Sequence, residues 1–437
     1  MKSQNKLSMS SDAAHHRFAY TPERKLTLFA LIGIGLFCAL LLKFLMPLEV
    51  IADEVFHLAQ IILFSNSESY ILTQLTMPAS YHWIIGNLSS LFLVDTFSGI
   101  RFISGLCSFV SVLLAWRYLE QNKPAFPFIQ ALQLLAVPLL WPFFWVLYTD
   151  IPALASIFFA LLLVSNRQYF PAALMCVISL MFRQHNIFWA LLMWAIALGQ
   201  EGVWLQWRNQ MSIREKGWAT KCGQLLWQGI KHTSAFAIPI LLFIGFLYWN
   251  EGITLGDKDN QKFGGLYPLQ PFFFLLLFGF ICLPLHLYQL PKILRLLTKH
   301  YWPWLVLVGL FFLYMATFKI VHPHNFPSDY FLRNWLLYFL NDHFRYKVLA
   351  FGLIALSLLS LVVSPLRSST YYWLFPISLL ALLPVPLVEQ RYYIVPFSLW
   401  MLFRVPQKMW IEIILLGWFA LMSAVLTRGI IKMQFFL

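Results

Sequence analysis

The stretch "IADEVFHLAQ", residues 51–60, follows the first long apolar run and sets Asp53, Glu54 and His57 at the edge of a membrane-length segment. A carboxylate at the lipid-water boundary is placed to act on a lipid-linked substrate, whose phosphate sits at that depth while its tail stays in the bilayer. If the substrate is a sugar on a polyprenyl phosphate, the leaving group is a stable phosphate anion, which needs cationic neighbours more than a general acid. A glycosidase differs, because its alkoxide leaving group must be protonated and two carboxylates are required. The chemistry therefore reduces to one carboxylate that deprotonates an acceptor hydroxyl and an Arg or Lys that holds the departing phosphate. Asp53 and Glu54 lead as the base, with Asp150 and Glu389 behind them, and Arg183, Lys258, Arg333 and Arg391 are the candidates for the phosphate. The plain alternative for Asp53 and Glu54 is a helix cap or a solvated loop, since acidic residues are stabilised at a helix N-terminus without any function. His57 stands one helical turn later and shares their face, in a positioning or packing role rather than as a zinc ligand.

Elements of one kind must position these groups. The chain has 437 residues, of which 60% are hydrophobic, 18% aromatic and 11% charged, far from the composition of a soluble domain. Its apolar stretches, about 14 to 22 residues each, predict an all-α integral membrane protein, a single polytopic helical bundle. Spans are expected at residues 26–48, 101–119, 128–147, 151–166, 169–182, 187–200, 235–249, 271–290, 303–319, 346–363, 371–388, 392–404 and 410–426, about thirteen transmembrane helices. The segment 81–94, with Asn87, Ser89 and Ser90 inside it, is expected to lie along the interface. Residues 1–25 are polar, without a short apolar core and cleavage site, and read as a cytosolic tail; residues 26–437 form one transmembrane domain whose first outer loop is 49–100.

The net charge of +13 is scattered over short loops, as the positive-inside rule requires, and does not point to nucleic acid. The cytosolic loops "RYLEQNK", "SNRQ", 201–232, "PKILRLLTKH", "SPLRSST" and "RVPQK" each carry Lys or Arg. In 201–232, Trp204, Trp207, Trp218 and Trp227 alternate with basic residues, which suits a helix on an anionic leaflet of membrane lipid. The opposite face, lumenal or periplasmic, receives "ADEVFH", "YTD", "FRQHN", "GDKDNQKFGG", "VHPHNFPSDYFLRN" and "VEQRYY". Five single cysteines show no metal or redox spacing. The run from Asp257 begins like a calcium loop, but Lys262 stands where Gly is required and Pro268 where Glu is required. Neither a metal nor a cofactor is called for.

The fragments "ADEVFHLAQ", "LTMPASYHW", "YTD", "FRQHNIFW", "GDKDN", "HPHNFPSDY" and "LVEQRYYIVPF", in this order from about residue 50 to 400, resemble the dolichyl-phosphoglucose-dependent alpha-1,2-glucosyltransferase family of N-glycan precursor assembly. The resemblance implies a type C multi-span glycosyltransferase with its catalytic acidic residue in the first outer loop. It implies inverting transfer of glucose from a polyprenyl-phosphate donor to a lipid-linked glycan acceptor. Asp53, Glu54 and His57 fall on the first-loop motif, Tyr148 and Asp150 on "YTD", and Arg183, Gln184 and Asn186 on "FRQ-x-N". Asp257 and Lys258 fall on "GDK", His322 on "HP", and Glu389, Arg391, Tyr392 and Tyr393 on "VE-x-RYY". His185 replaces a usual Thr, Gln261 a His and Gln390 a Pro, and "MPAS" replaces "TPPG". The implied location is the endoplasmic reticulum membrane, or the plasma membrane for a bacterial relative acting on another glycan. A transporter or flippase is the rival class, but it is expected to show internal repeats and charges near the bilayer midplane.

The loop sorting makes a direct prediction. A single cysteine at Lys258 reacts with an impermeant reagent only from the lumenal or periplasmic side, and one at Arg214 only from the cytosol. Labelling of both from one side contradicts the assignment.

Overall fold

The computed structural model describes residues 22–204, 218–256, 264–326 and 334–434. From the N-terminus, α1 (Pro22–Leu45) leads into the short helices α2 (Glu54–Ser65) and α3 (Ser80–Leu91), then α4 (Phe97–Gln121) and α5 (Pro127–Ala136). The run α6 (Asp150–Ser165), α7 (Tyr169–Phe182) and α8 (Ile187–Gln200) follows. Next come α9 (Trp218–His232), α10 (Ala237–Asn250), α11 (Leu269–Ile281) and α12 (Leu283–Lys299). The remainder holds α13 (Trp302–Thr317), α14 (Trp335–Asp342), α15 (Phe344–Val363), α16 (Leu374–Leu382), α17 (Ile394–Phe403) and α18 (Met409–Ile431). The described residues contain no strand beyond an isolated bridge between Leu366 and Arg404.

The helical membrane class expected from composition is what the fold presents, at a coarser count of spans. Among the described residues four helices, α1, α4, α15 and α18, are long and apolar enough to cross a bilayer, or up to six spans if each of two bent pairs counts as one. Prolines divide stretches that hydropathy treats as continuous. The expected span 128–147 is α-helical only through Ala136, because Pro138 holds Val137 in extended backbone (φ −67, ψ 131) and a 3-10 turn, Trp141–Phe144, follows. The expected span 271–290 divides at Cys282 into α11 and α12, bent by 97°, with Pro284 in the first turn of α12. Segment 81–94 becomes α3, whose 12 residues fall short of the ~20 that span a bilayer.

Packing is most extensive between α6 and α7 and next between α4 and α6. The face of α4 that turns inward carries Ser104, Gly105, Ser108 and Ser111, small residues that let neighbouring backbone approach. A Cβ on Gly105 would lie 3.1 Å from the Phe144 carbonyl oxygen. A closer crossing joins α2 to α3: a Cβ on Gly86 would meet the Ile61 carbonyl oxygen at 2.8 Å and Phe64 Cβ at 2.9 Å. Since the obstacle is backbone, it cannot swing away. Gly86→Val is therefore expected to destabilise by about 1–3 kcal/mol, the usual range for overpacking. Thermal unfolding of the purified protein in detergent checks this, and a midpoint equal to that of the unsubstituted protein refutes the close crossing.

Candidate active site

Several helices begin where the candidate residues lie. Asp53 is the N-cap of α2, Asp150 opens α6, the turn Gln184–Asn186 leads into α8, and the turn Gln390–Tyr393 leads into α17. Each helix N-terminus contributes a partial positive charge, so the junction favours an anion.

Asp53 and Glu54 are neighbours in sequence with opposite surroundings. Although Asp53 occupies the N-cap position, its carboxylate makes no capping hydrogen bond, so the capping alternative does not account for it. Its Oδ2 accepts from Arg391 Nη1 at 3.1 Å, its backbone N–H donates to the Tyr148 hydroxyl at 3.2 Å, and its side chain is 24% exposed. Glu54 is fully buried. Its carboxylate accepts from the backbone N–H groups of Ile51 at 2.9 Å and Leu147 at 2.7 Å, from Arg101 Nε at 3.0 Å, and from Arg101 Nη2. Arg101 also donates to the carbonyls of Pro47 and Glu49. Ala52, just before Asp53, is held in the left-handed region at φ 54.

Arg391 pairs with Glu389 as well as Asp53. Burial works against its charge, but Glu389 and Asp53 outweigh that and hold the guanidinium pKa well above its ordinary value. A second pair joins Arg183 to Asp150 Oδ1. Arg183 and Arg391 face the Tyr392 ring at 5.9 and 5.8 Å from its centroid, and Arg391 also faces Tyr148 at 5.8 Å. These residues form one contiguous polar cluster. Asp150, Arg183, His185, Arg391 and Tyr392 line a single cavity, closed on its other walls by Phe188, Trp189, Leu382 and Val385.

His57 packs against Tyr148 at 5.2 Å between centroids, and its Nδ1 lies 2.7 Å from His82 Nε2. Burial pushes the His57 imidazole down to about 4, so the ring is neutral near pH 7. His185 is pushed down to about 3, by burial first and then by Arg183 and Arg391.

Other expected residues lie in segments held by hydrogen bonds. Gln184 Nε2 donates to the Thr76 carbonyl at 2.7 Å and ties the "MPAS" segment to the turn. Asn186 donates to Ser179 Oγ at 2.8 Å within the connection from α7 to α8. Tyr393 turns away from its neighbour Tyr392: it is fully buried, and its hydroxyl donates to Gln270 Oε1 at 2.6 Å. Gln270 in turn donates to the carbonyls of Val385 and Leu387. His322 lies in a loop fixed to Val388 by Asn325, whose amide donates to the Val388 carbonyl and accepts from its N–H. Asp257, Lys258 and Arg333 lie outside the described residues. Gly256, just before them, sits against residues 73–75 in a left-handed conformation (φ +53), where a Cβ would meet the carbonyl oxygens of Thr73 and Leu75 at 2.4 Å. Among the described residues no three His, Cys, Asp or Glu side chains are grouped to hold a metal ion.

Sequence reasoning did not single out His82, Arg101 or Gln270. Arg101 alone carried a signal, a charge at the very start of an apolar span. Arg404, which reads as a basic residue at the cytosolic boundary, is instead buried, with Nη1 on Glu412 Oε1 at 2.8 Å and Nη2 on Gln133 Oε1 at 3.0 Å.

Fold and site define a polytopic helical membrane protein with an acid-guanidinium cluster gathered at helix N-termini. The sequence profile of the DIE2/ALG10 family matches residues 48–402, and the chain belongs to that family. A Candida albicans protein named Dol-P-Glc:Glc(2)Man(9)GlcNAc(2)-PP-Dol alpha-1,2-glucosyltransferase is 26% identical over 290 residues, covering 63% of this chain and 62% of that protein, under two thirds of its length. Proteins of the same name are 25% identical over 417 residues in Kluyveromyces lactis, covering 83% of this chain and 75% of that protein, and 26% identical over 400 residues in Homo sapiens, covering 80% and 83%. No solved structure matches the chain. The family expected from the motifs is thus borne out.

The two adjacent acids are expected to part under substitution. Glu54→Gln leaves the Arg101 guanidinium buried without its counter-charge, a change that costs about 3–5 kcal/mol. Asp53→Asn leaves the buried Arg391 its second counter-charge, Glu389, and acts at a side chain that is 24% exposed, so its cost is smaller than that of Glu54→Gln. Thermal unfolding of the two variants decides, and equal midpoints refute the difference in role.

Proposed function

We propose that this chain is a Dol-P-Glc-dependent alpha-1,2-glucosyltransferase that moves glucose to a lipid-linked oligosaccharide on the lumenal face of the endoplasmic reticulum. Membership of the DIE2/ALG10 family and the shared name of its relatives support the activity. Nothing in them supports the transporter alternative. The observation that carries the mechanism is the pairing of a partly exposed carboxylate, Asp53, with a permanently charged guanidinium, Arg391, at the junction of helix N-termini.

In this reading Asp53 takes the proton of the acceptor hydroxyl as its oxygen bonds to C1 of the glucose. The bond from C1 to the phosphate oxygen breaks in the same displacement, and the configuration at C1 inverts. The departing polyprenyl phosphate carries its negative charge to Arg391, aided by Arg183 and, from outside the described residues, Lys258. No general acid is needed on the leaving side. Glu54 is reassigned from base to anchor, because every lone pair direction it offers is directed at Arg101 or backbone N–H. His57, Tyr148 and Glu389 orient Asp53 and Arg391. The finer topology belongs to the same proposal: about thirteen crossings, with the first loop lumenal.

Purified protein is expected to transfer glucose from polyprenyl-phosphate glucose to a lipid-linked Glc(2)Man(9)GlcNAc(2) acceptor and to transfer nothing from polyprenyl-phosphate mannose. Transfer of mannose alone, or of neither sugar, refutes the proposal. Asp53→Asn is expected to lower the rate by roughly 100- to 10,000-fold, the usual contribution of a general base, with donor binding retained. Arg391→Lys is expected to impair transfer more than Arg295→Lys, on an exposed cytosolic-side helix position, since an ammonium cannot form two parallel bonds to phosphate. Arg404 is unsuited as that control because of its buried pair with Glu412.

A further inference from the structure

Helix α12 holds the second part of an expected span, turned aside at Cys282. It leaves that residue at 97° to α11, so where α11 crosses the bilayer within the usual tilt of spanning helices, α12 runs along the membrane plane. Hydrogen bonds hold it there. Gln289 Nε2 donates to Ser364 Oγ at 2.8 Å and Gln289 Oε1 accepts from Ser360 Oγ at 2.5 Å, which fixes the helix to the end of α15.

With each residue turned about 100° from the last, α12 divides into three sectors. Leu285, His286, Gln289 and Ile293 are buried against the bundle. Leu287, Leu290 and Leu294 are exposed and point roughly 120° away from that face. Lys292, Arg295 and Lys299 are exposed too, and they occupy a third sector roughly 100–140° from the other two. No acid along the chain offsets them, since the sequence has no Asp or Glu between Asp259 and Asp329.

A helix with one face on protein, one apolar and one basic has a single orientation at a bilayer surface. Its leucines enter the hydrocarbon and its charges reach the headgroups. Aromatic side chains on α12 mark that depth: Tyr288 meets Trp410 edge to face at 5.5 Å between centroids, and Trp304 Nε1 donates to the Leu297 carbonyl at 3.0 Å. Trp and Tyr favour the boundary because the ring is apolar and the N–H or O–H is wet. Charge then selects the lipid. A zwitterionic headgroup offers three cations no net attraction, whereas an anionic surface attracts each of them, by about fivefold per basic residue close to it.

We propose that the basic sector of α12 is a binding surface for anionic phospholipid in the leaflet that the basic loops face, with the acyl chains lying against Leu287, Leu290 and Leu294. None of its residues belongs to the acid-guanidinium cluster. Through Gln289, a lipid seated here bears on the end of α15 as well as on α12.

The test uses the full chain with Cys38→Ala and Cys107→Ala, the three other cysteines being buried. It is reconstituted in phosphatidylcholine vesicles with a bimane fluorophore on Leu290→Cys or, as a control in the middle of α18, on Leu421→Cys. Lipids with dibrominated chains quench a fluorophore that they touch. Dibrominated phosphatidylserine is expected to quench the label at Leu290 at least about fivefold more effectively than dibrominated phosphatidylcholine at equal mole fraction, and the label at Leu421 equally. Lys292→Gln, Arg295→Gln and Lys299→Gln together are expected to bring the ratio at Leu290 below about twofold. If that triple variant does not fold, Arg295→Gln alone, and added salt on the unsubstituted surface, are each expected to lower the ratio. Equal quenching by the two lipids at Leu290, the same preference at Leu421, or a ratio unmoved by charge removal and salt overturns the anionic surface. Absence of quenching at Leu290 by either lipid overturns the placement of α12, because protein then covers the leucine face.

Discussion

The buried pair between Glu54 and Arg101 is the constraint on which the arrangement rests. Taking two charges out of water is expensive, and the attraction between them repays it only where the remaining donors and acceptors are also satisfied. Both ends meet that condition. Glu54 collects two backbone N–H groups from segments 96 residues apart in the chain, Ile51 and Leu147; Arg101 collects the carbonyls of Pro47 and Glu49. One ion pair therefore fixes the chain leaving α1, the turn before α2 and the approach to α6. Asp53 and Tyr148 meet beside it.

The charges around the site are arranged to be incomplete. Asp53, Asp150 and Glu389 face two guanidinium groups, Arg183 and Arg391. The helix ends at this junction add partial positive charge without adding a mobile side chain. Under the proposed mechanism the departing phosphate competes with Glu389 and Asp53 for Arg391. The neutral His57 imidazole adds a polar contact beside Asp53 with no charge of its own.

The loop "ADEVFH" was legible because charge is rare in this chain, so each acidic residue beside an apolar run stands out. What sequence left open was how the two adjacent carboxylates differ. Glu54 is bound by Arg101, 47 residues on, and Asp53 by Arg391, 338 residues on, and no local pattern encodes either partner. Tyr392 and Tyr393 repeat the lesson, one facing arginines and the other locked to Gln270. Apolar stretches were found nearly everywhere helices occur, but Pro138 and Pro284 broke two of them. Hydropathy averages over a proline, whereas the backbone cannot. Arg404 read as a surface anchor because its acid, Glu412, lies inside the following apolar helix, where a lone carboxylate looks like noise.

Ala52 carries a consequence of another kind. A left-handed alanine stores strain of about 1–3 kcal/mol that glycine would not. Glycine there would relax the native turn while giving the unfolded chain more freedom to lose, so the two effects oppose each other in stability. They do not oppose each other in precision: a Cβ at this position narrows the backbone angles from which Asp53 can project. Under the proposed mechanism, in which Asp53 is the base, this turn is a place where a gain in stability and a loss of catalytic rate would be selected against one another.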